Sequence, residues 1–549
     1  MTIEQTANQT SGQTSGDDLD AEVIVIGAGV SGIHQLHLLR EAGFDVKLIE
    51  AGTNVGGTWY WNRYPGARFD SESYSYGYFF SPELLAEWNW SEHFAPAYET
   101  EAYLNFATDR LGLRDLMRFR TRVASATFDE ASATWTLLTE DGEQLRSRFV
   151  VSATGVLSVP FWPAIPGRDR YQGDAYHTGQ WPKEPVDFKN KKVAVIGTGA
   201  SAVQLIPEVA KEVGELVVYQ RTPNWNSPLN NGPITDEEQA ELKATYVQIH
   251  EACMSTFGGF VHLASRKKAF DESRDERLAL YEKLYHQKGF AKLLSNYRDL
   301  MINPEVNTEF SEFLADKIRG RVHDKALAEK LIPTDHGFGM RRPPMETFYF
   351  EAFNQPNVRL IDLNETPITS ITEAGIETAA GEETFDIIVW ATGFDGFTGA
   401  LTRINPIGED GVALRERWAD GVVTFLAVGV PGMPNFFTAG GPHMIGANFP
   451  RATEVLVDFI TAILQHTWDN GLTYVAADPE ASAGWTEEVH EAGKIALIAE
   501  HTWFRGTNIP GKKAETLQYT GNLSRFRARL DDMVEQGFPG FTFSTRVPV

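Results

Sequence analysis

AEVIVIGAGVSGIHQLHLLREAGFDVKLIE, residues 21–50, decides the fold. Its first six residues are nearly all apolar, as a parallel strand buried on both faces must be. Gly27, Gly29 and Gly32 follow as G-x-G-x-x-G, Ile33, Leu36 and Leu39 recur at helical spacing, and a second apolar run, Val46–Ile49, ends at Glu50. Glycines at this spacing permit a tight turn, close approach of backbone to a pyrophosphate, and close packing of helix on strand. The helix start offers unpaired amides and the positive end of a dipole to phosphates. Glu50 stands where a carboxylate accepts hydrogen bonds from both ribose hydroxyls. A glycine-rich turn in an ordinary α/β unit is the competing reading. Strand, glycines, helix, strand and acid in that order favour a dinucleotide site.

A related segment lies further on: KKVAVIGTGASAVQLIPEVAKEVGELVVYQRT, residues 191–222. Gly197 and Gly199 are followed by Ala202, the tolerated G-x-G-x-x-A form. Here the second strand ends in Gln220, Arg221 and Thr222 instead of an acid. A carboxylate would repel a 2′-phosphate, whereas a guanidinium grips it with two charge-assisted bonds. The first unit therefore reads as the FAD site and the second as an NADPH site, with a solvated surface arginine as the competing reading for Arg221. Two apolar strands run into A-T-G, at Ala153–Gly155 and Ala391–Gly393. They look like the returns by which two-dinucleotide flavoproteins cross between domains.

The whole chain agrees with this reading. Its 549 residues suggest two or three domains, and 42% hydrophobic content can fill their cores. A formal net charge of −25 repels nucleic acid and anionic membrane, so neither is expected as a partner. Cys253 is the single cysteine, which excludes an intramolecular disulfide, a redox CxxC pair and a cysteine-rich zinc site and fits a reducing cytoplasm. No metal is expected. Residues 1–20 are polar, lack the apolar segment of a signal peptide, and read as a flexible tail.

Two longer motifs narrow the family. YQGDAYHTGQWP, residues 171–182, resembles the Baeyer–Villiger monooxygenase fingerprint F-x-G-x-x-x-H-x-x-x-W-P, with Gly173, His177, Trp181 and Pro182 matching and Tyr171 in place of Phe. GGTWYWNRYPGARFD, residues 56–70, matches every specified position of the family's G-G-x-W-x-x-x-x-Y-P-G-x-x-x-D. The resemblance implies insertion of one atom of O2 beside a ketone carbonyl, using FAD and NADPH. It runs from the first glycine loop to TWFRGTNIPGK, residues 502–512. His177 is expected to be a structural hydrogen-bonder that affects cofactor placement, not an acid or base, and Trp181 to be packing.

The implied reaction has an electrostatic need. A flavin peroxide must stay anionic to attack a carbonyl carbon, and a fixed cation would hold both that anion and the oxyanion that follows. HGFGMRRPPMETFYF, residues 336–350, resembles the family's G-x-K-R stretch, whose arginine lies over the flavin. That position is Arg342. The family's lysine, which contacts the NADPH 2′-phosphate, is Arg341 here, and a solvated basic pair is the competing reading. Asp70 matches the carboxylate expected to orient Arg342. Gly57, Trp59 and Tyr60, in the same motif as Asp70, are expected beside the cofactors, with core packing as the competing reading for the two aromatics. Trp503 matches a tryptophan on a mobile loop near residues 500–512 that closes over NADP and substrate. Met444, Ile445 and Phe449 are candidate apolar walls for a hydrophobic ketone, against ordinary packing.

The expected architecture is α/β, with two Rossmann-like dinucleotide domains. Residues 21–155 and 390–549 are assigned to FAD, 156–225 and 331–389 to NADP, and 226–330 to a helical insertion in the NADP domain. A sulfide or amine oxygenase is the nearest rival and a non-catalytic flavoprotein a more distant one. A thiol–disulfide reductase would need a second cysteine. Natural substrate and oligomeric state are not legible.

Overall fold

The computed structural model describes residues 19–545. The expected N-terminal tail therefore lies, up to residue 18, outside the described residues. Strand β1 (Ala21–Ile26) has β2 (Val46–Ile49) parallel on one side, and β3 (Met117–Arg118) extends that edge. The chain then makes an antiparallel meander, β4 (Val123–Asp129), β5 (Thr134–Thr139) and β6 (Gln144–Ser152). β6 returns parallel to β1, giving the order β3-β2-β1-β6-β5-β4. The sequence reading did not foresee this meander. β4 and β5 carry mixed apolar and polar residues, because only part of each faces the core.

A second sheet repeats the plan. It uses β7 (Asp174–His177), β8 (Lys192–Ile196) and β9 (Glu215–Gln220). A short parallel pair, β10 (Ser227–Pro228) and β11 (Met345–Glu346), flanks the helical insertion. β12 (Val358–Asp362) joins β9, and a small antiparallel sheet follows as β13 (Ile368–Ile371), β14 (Gly375–Thr378) and β15 (Gly381–Thr384). With β16 (Ile387–Trp390) the order is β12-β9-β8-β16-β7, all parallel. β17 (Phe436–Thr438) then returns to the first sheet, parallel to β6.

Between β10 and β11 lie the helices Asp236–Ser255, Arg274–Tyr285, Pro304–Arg321 and Lys325–Lys330. The first two start with capping boxes, Thr235 with Glu238 and Ser273 with Glu276. The fold is thus two Rossmann-like units with a helical insertion in the second. Among the described residues no helix is long and apolar enough to cross a membrane, and no group of three or more His, Cys, Asp or Glu is placed to hold a metal ion.

Candidate active site

The two glycine loops are built alike, bond for bond. Gly27 donates to Ile49 O at 2.8 Å and Gly197 to Tyr219 O at 2.9 Å. Ala153 N donates to Ile26 O, and Ala391 N to Ile196 O, both at 2.9 Å. Each A-T-G return therefore lies against the first glycine of its loop. Both glycines have positive φ, +106° and +111°, and a Cβ there would sit 2.7 Å from Ala153 O or 2.4 Å from Ala391 O. Gly29 and Gly199 precede the helices Val30–Glu41 and Ala200–Val209, and neither helix has a capping side chain. First-turn amides are thus left for an acceptor from outside the chain. A Cβ on Gly199 would meet nothing within 4 Å. Open amides on bare backbone suit an anionic group at both places, so the residues fit two dinucleotide phosphates. Ala202 is fully buried in the second helix.

Glu50 is buried at the end of β2. Its Oε2 accepts from Ala28 N at 2.8 Å and its Oε1 from Gly52 N at 2.5 Å. Burial pushes its carboxyl above the ordinary range, and those amides oppose the shift. Each oxygen keeps a lone pair for a hydroxyl. In the second unit Arg221 is exposed, and Thr222 O accepts from Thr198 Oγ1 of the glycine loop at 3.0 Å.

Residues 56–70 join these parts. At one end Gly57 lies against the first glycine loop: a Cβ on it would come within 2.7 Å of Gly29 Cα. Trp59 and Tyr60 are buried beside this contact, with Trp59 Nε1 donating to Tyr76 OH at 3.0 Å and Tyr60 OH accepting from Thr53 N at 2.9 Å. In the middle, a Cβ on Gly66 would be 2.4 Å from Gln204 O, on the helix of the second glycine loop. Tyr64 OH donates to Gln204 Oε1 at 2.8 Å, and Gln204 Nε2 donates to Arg68 O at 3.0 Å. The far end is Asp70, whose Oδ2 accepts from Arg342 Nη2 at 3.2 Å. One segment thus touches the first glycine loop, the helix that follows the second, and the arginine.

Asp70 is 4% exposed, and its Oδ1 is buried without a hydrogen-bond partner. Burial raises its carboxyl pKa, and the charge and hydrogen bond of Arg342 work against that rise. The Arg342 side chain is 45% exposed and lies over the Phe290 ring, 5.2 Å from its centre. Its bond to Asp70 uses one of five N–H donors. Arg341 points elsewhere: its Nη2 donates to Asp335 Oδ2 at 2.7 Å. The basic pair is therefore split between two carboxylates.

The fingerprint residues sit at the edge of the second sheet. A Cβ on Gly173 would lie 2.9 Å from Asp386 O, and the Tyr171 hydroxyl, absent from the usual Phe, donates to Phe385 O at 2.8 Å. Trp181 is packed against Tyr176 and Phe188, and its amide donates to Trp61 O at 3.1 Å. His177 Nδ1 accepts from Gly179 N at 2.9 Å, and its Nε2 faces Thr392 Oγ1 at 3.3 Å. It is 2% exposed, and burial pushes its pKa down to about 4. Unfolded, it titrates near ~6.5. Between those values the unfolded chain binds a proton that the folded chain excludes, so stability falls as pH drops through that window and is flat below it. His177→Gln is expected to flatten this slope by up to about 1.4 kcal/mol per pH unit. Urea midpoints from pH 4 to 7 measure it, and an unchanged slope would mean the folded ring already carries the proton.

Trp503 is half-buried and stacks on Phe397 with ring centres 5.1 Å apart. Its segment is tied to the second A-T-G return by Asn508 Nδ2 to Phe394 O at 2.8 Å and Lys512 Nζ to Asp395 Oδ1 at 2.7 Å. Met444 and Ile445 are buried, and Phe449 is half-buried at the start of the helix Phe449–Asp469. Asn448 fixes this stretch to the residues after Asp70: its Oδ1 accepts from Ser71 Oγ at 3.1 Å. Sequence reading passed over Gln204, Asn448 and Asp335. Only Gln204 left a signal, as a lone amide in an otherwise apolar helical run.

Two glycine loops joined through one segment to a buried carboxylate–arginine pair define a two-dinucleotide flavoprotein. Residues 20–230 match a family model described as flavin-binding monooxygenase-like. The chain is 42% identical to the 2-oxo-Δ3-4,5,5-trimethylcyclopentenylacetyl-CoA monooxygenase of Pseudomonas putida, over 95% of this chain and 98% of that one. It is 37% identical to the cyclopentanone 1,2-monooxygenase of a Comamonas species, over 99% and 100%. A crystal structure of OTEMO in complex with FAD and NADP superposes with a TM-score of 0.93 at 42% identity, covering 96% of this chain and all of that one. The chain belongs to the Baeyer–Villiger monooxygenases.

Proposed function

We propose that this protein uses FAD, NADPH and O2 to oxidise a hydrophobic ketone to an ester or lactone. The observation that carries the reading is the Arg342–Asp70 pair, at 3.2 Å, on the segment that also touches the first glycine loop and the helix of the second. When bound, reduced FAD supplies the activated oxygen and NADPH the electrons. The chain's own groups do the rest. The loop amides and helix starts hold the pyrophosphates, Glu50 takes ribose hydroxyls, and Arg221, Thr222 and Arg341 favour a 2′-phosphate. Arg342 provides a fixed positive charge where negative charge develops on the carbonyl oxygen, and it cannot lose its proton at working pH. Asp70 positions that guanidinium.

Met444, Ile445 and Phe449 serve as apolar walls, and Trp503 with its tethered segment excludes water once it closes. Residues 21–155 with 390–549 form the FAD domain in this reading, and 156–225 with 331–389 the NADP domain. The lone, buried Cys253 suits a reducing cytoplasm.

The test is incubation of the yellow protein with NADPH, 18O2 and a mixed panel of ketones, thioethers and amines. Mass spectrometry should find one labelled oxygen in esters or lactones. Label only on sulfur or nitrogen would replace the reading with a heteroatom oxygenase. Asp70→Ala should lower kcat about tenfold or more, with KM for the ketone changed less, because it loosens the arginine and leaves the substrate's apolar contacts alone. An unchanged kcat would free Asp70 from the mechanism.

A further inference from the structure

Arg341 is held by a carboxylate of its own, Asp335. Asp335 gives one carboxylate oxygen to Arg341 Nη2 at 2.7 Å and the other to His336 Nδ1 at 2.6 Å. A carboxylate only accepts, so Nδ1 carries the proton. His336 Nε2 faces Asn224 Oδ1 at 3.4 Å, and Asn224 Nδ2 donates to Arg342 O at 3.1 Å. Trp225 Nε1 closes the group by donating to His336 O at 2.8 Å. Asn224 and Trp225 directly follow Arg221, Thr222 and Pro223 in the chain. The Asp335–His336 stretch is therefore tied, through the Trp225 indole, to the strand end that carries the groups proposed for the 2′-phosphate.

This is more than a loose surface pair. The Arg341 side chain is 17% exposed, its Nε is buried without a partner, and the His336 side chain is almost fully buried, while Asp335 is 45% exposed. Burial alone would raise the Asp335 carboxyl. The hydrogen bond from His336 and the charges of His336 and Arg341 outweigh that and hold it below the ordinary range. It is an anion at neutral pH.

An anion against a guanidinium fixes its position and cancels part of its field. A 2′-phosphate needs that field and is itself repelled by the carboxylate. A ribose with a free 2′-hydroxyl feels little of either effect. We infer that Asp335 is a specificity-determining residue: by holding Arg341 as a partly neutralised cation, it limits the preference for 2′-phosphorylated dinucleotides. This rests on the reading that Arg341 serves the 2′-phosphate.

The experiment is calorimetric titration of the FAD-loaded protein with 2′,5′-ADP and with 5′-AMP, at fixed ionic strength. Asp335→Asn and Asp335→Ser, two variants of different hydrogen-bonding capacity, are compared with Arg341→Ala and with Arg341→Ala/Asp335→Asn. Loss of the charge at Asp335 should tighten 2′,5′-ADP about 3- to 10-fold and move 5′-AMP less than about twofold. The tightening should vanish when Arg341 is already alanine. The ratio of kcat/KM for NADPH over NADH should rise by the same factor. If Arg341→Ala weakens 2′,5′-ADP but both Asp335 variants leave it unchanged or weaker, the inference fails and the reading of Arg341 stands. If Arg341→Ala leaves 2′,5′-ADP unaffected, that reading fails and takes the inference with it. Tightening that persists without Arg341 would show that Asp335 acts by another route, and would also overturn the proposal.

Discussion

Arg342→Ala is expected to cut ester formation by about 10²- to 10³-fold while NADPH still bleaches the flavin at close to the parental rate. The asymmetry follows from where the charge is needed. Electron delivery from NADPH needs the two cofactors in contact, and in the proposed reading the glycine loops, not Arg342, hold them. Attack on a carbonyl carbon builds negative charge, and removing a preorganised donor from such a position typically costs ~10²–10³ in rate. The donor here is well prepared: its carboxylate partner is buried, and one face lies against Phe290. Arg342→Lys should fall between the parent and alanine, because it keeps a charge but loses the planar fork. Stopped-flow absorbance separates the two half-reactions. Ester formation at the parental rate by the alanine variant would remove Arg342 from the chemistry, and a lost flavin-bleaching step would reassign it to NADPH binding.

Gly32→Ala carries the second large effect. A Cβ at Gly32 would lie 1.8 Å from Gly27 O and 3.0 Å from Gly27 C, and these are backbone atoms of the loop itself. No rotamer change relieves that overlap, so the loop must shift. Gly27 is itself tied down, its amide donating to Ile49 O at 2.8 Å, which resists that shift. Overpacking of this kind costs up to ~3 kcal/mol, or about 100-fold in FAD affinity. The purified variant should be nearly colourless, with its absorbance ratio at 450 to 280 nm recovering only at high added FAD. A yellow variant with unchanged affinity would mean that helix and loop do not need this close approach.

The parts of the molecule that were legible beforehand are those written locally. Both glycine loops, their strands and the acid or arginine at the strand ends lie within thirty-odd residues, and local hydrophobic period fixes them. The insertion could be read from helical spacing at Glu237–Tyr246 and Asp275–Leu284, which the helices Asp236–Ser255 and Arg274–Tyr285 contain. Asp70 and Arg342 are 272 residues apart. Their meeting was expected only through family resemblance, since no periodicity links them. Asp335 and Arg341 are near neighbours, yet their pairing was not foreseen, because an acid six residues from an arginine in a glycine-rich loop has no fixed geometry. The meander β4–β5 was invisible for a third reason: β4 alternates buried and exposed residues and β5 interleaves threonines, so neither shows the continuous apolar run that marks β1 and β8.

The stretch from Gly57 to Asp70 has a thermodynamic consequence. Because these fourteen residues lie against one glycine loop, lean on the helix of the other and end on the arginine, a displacement of them at one cofactor site is transmitted to the other. Occupancy of the two nucleotide sites should then be cooperative, and by linkage the gain must be reciprocal: whatever factor FAD adds to NADP affinity, NADP returns to FAD.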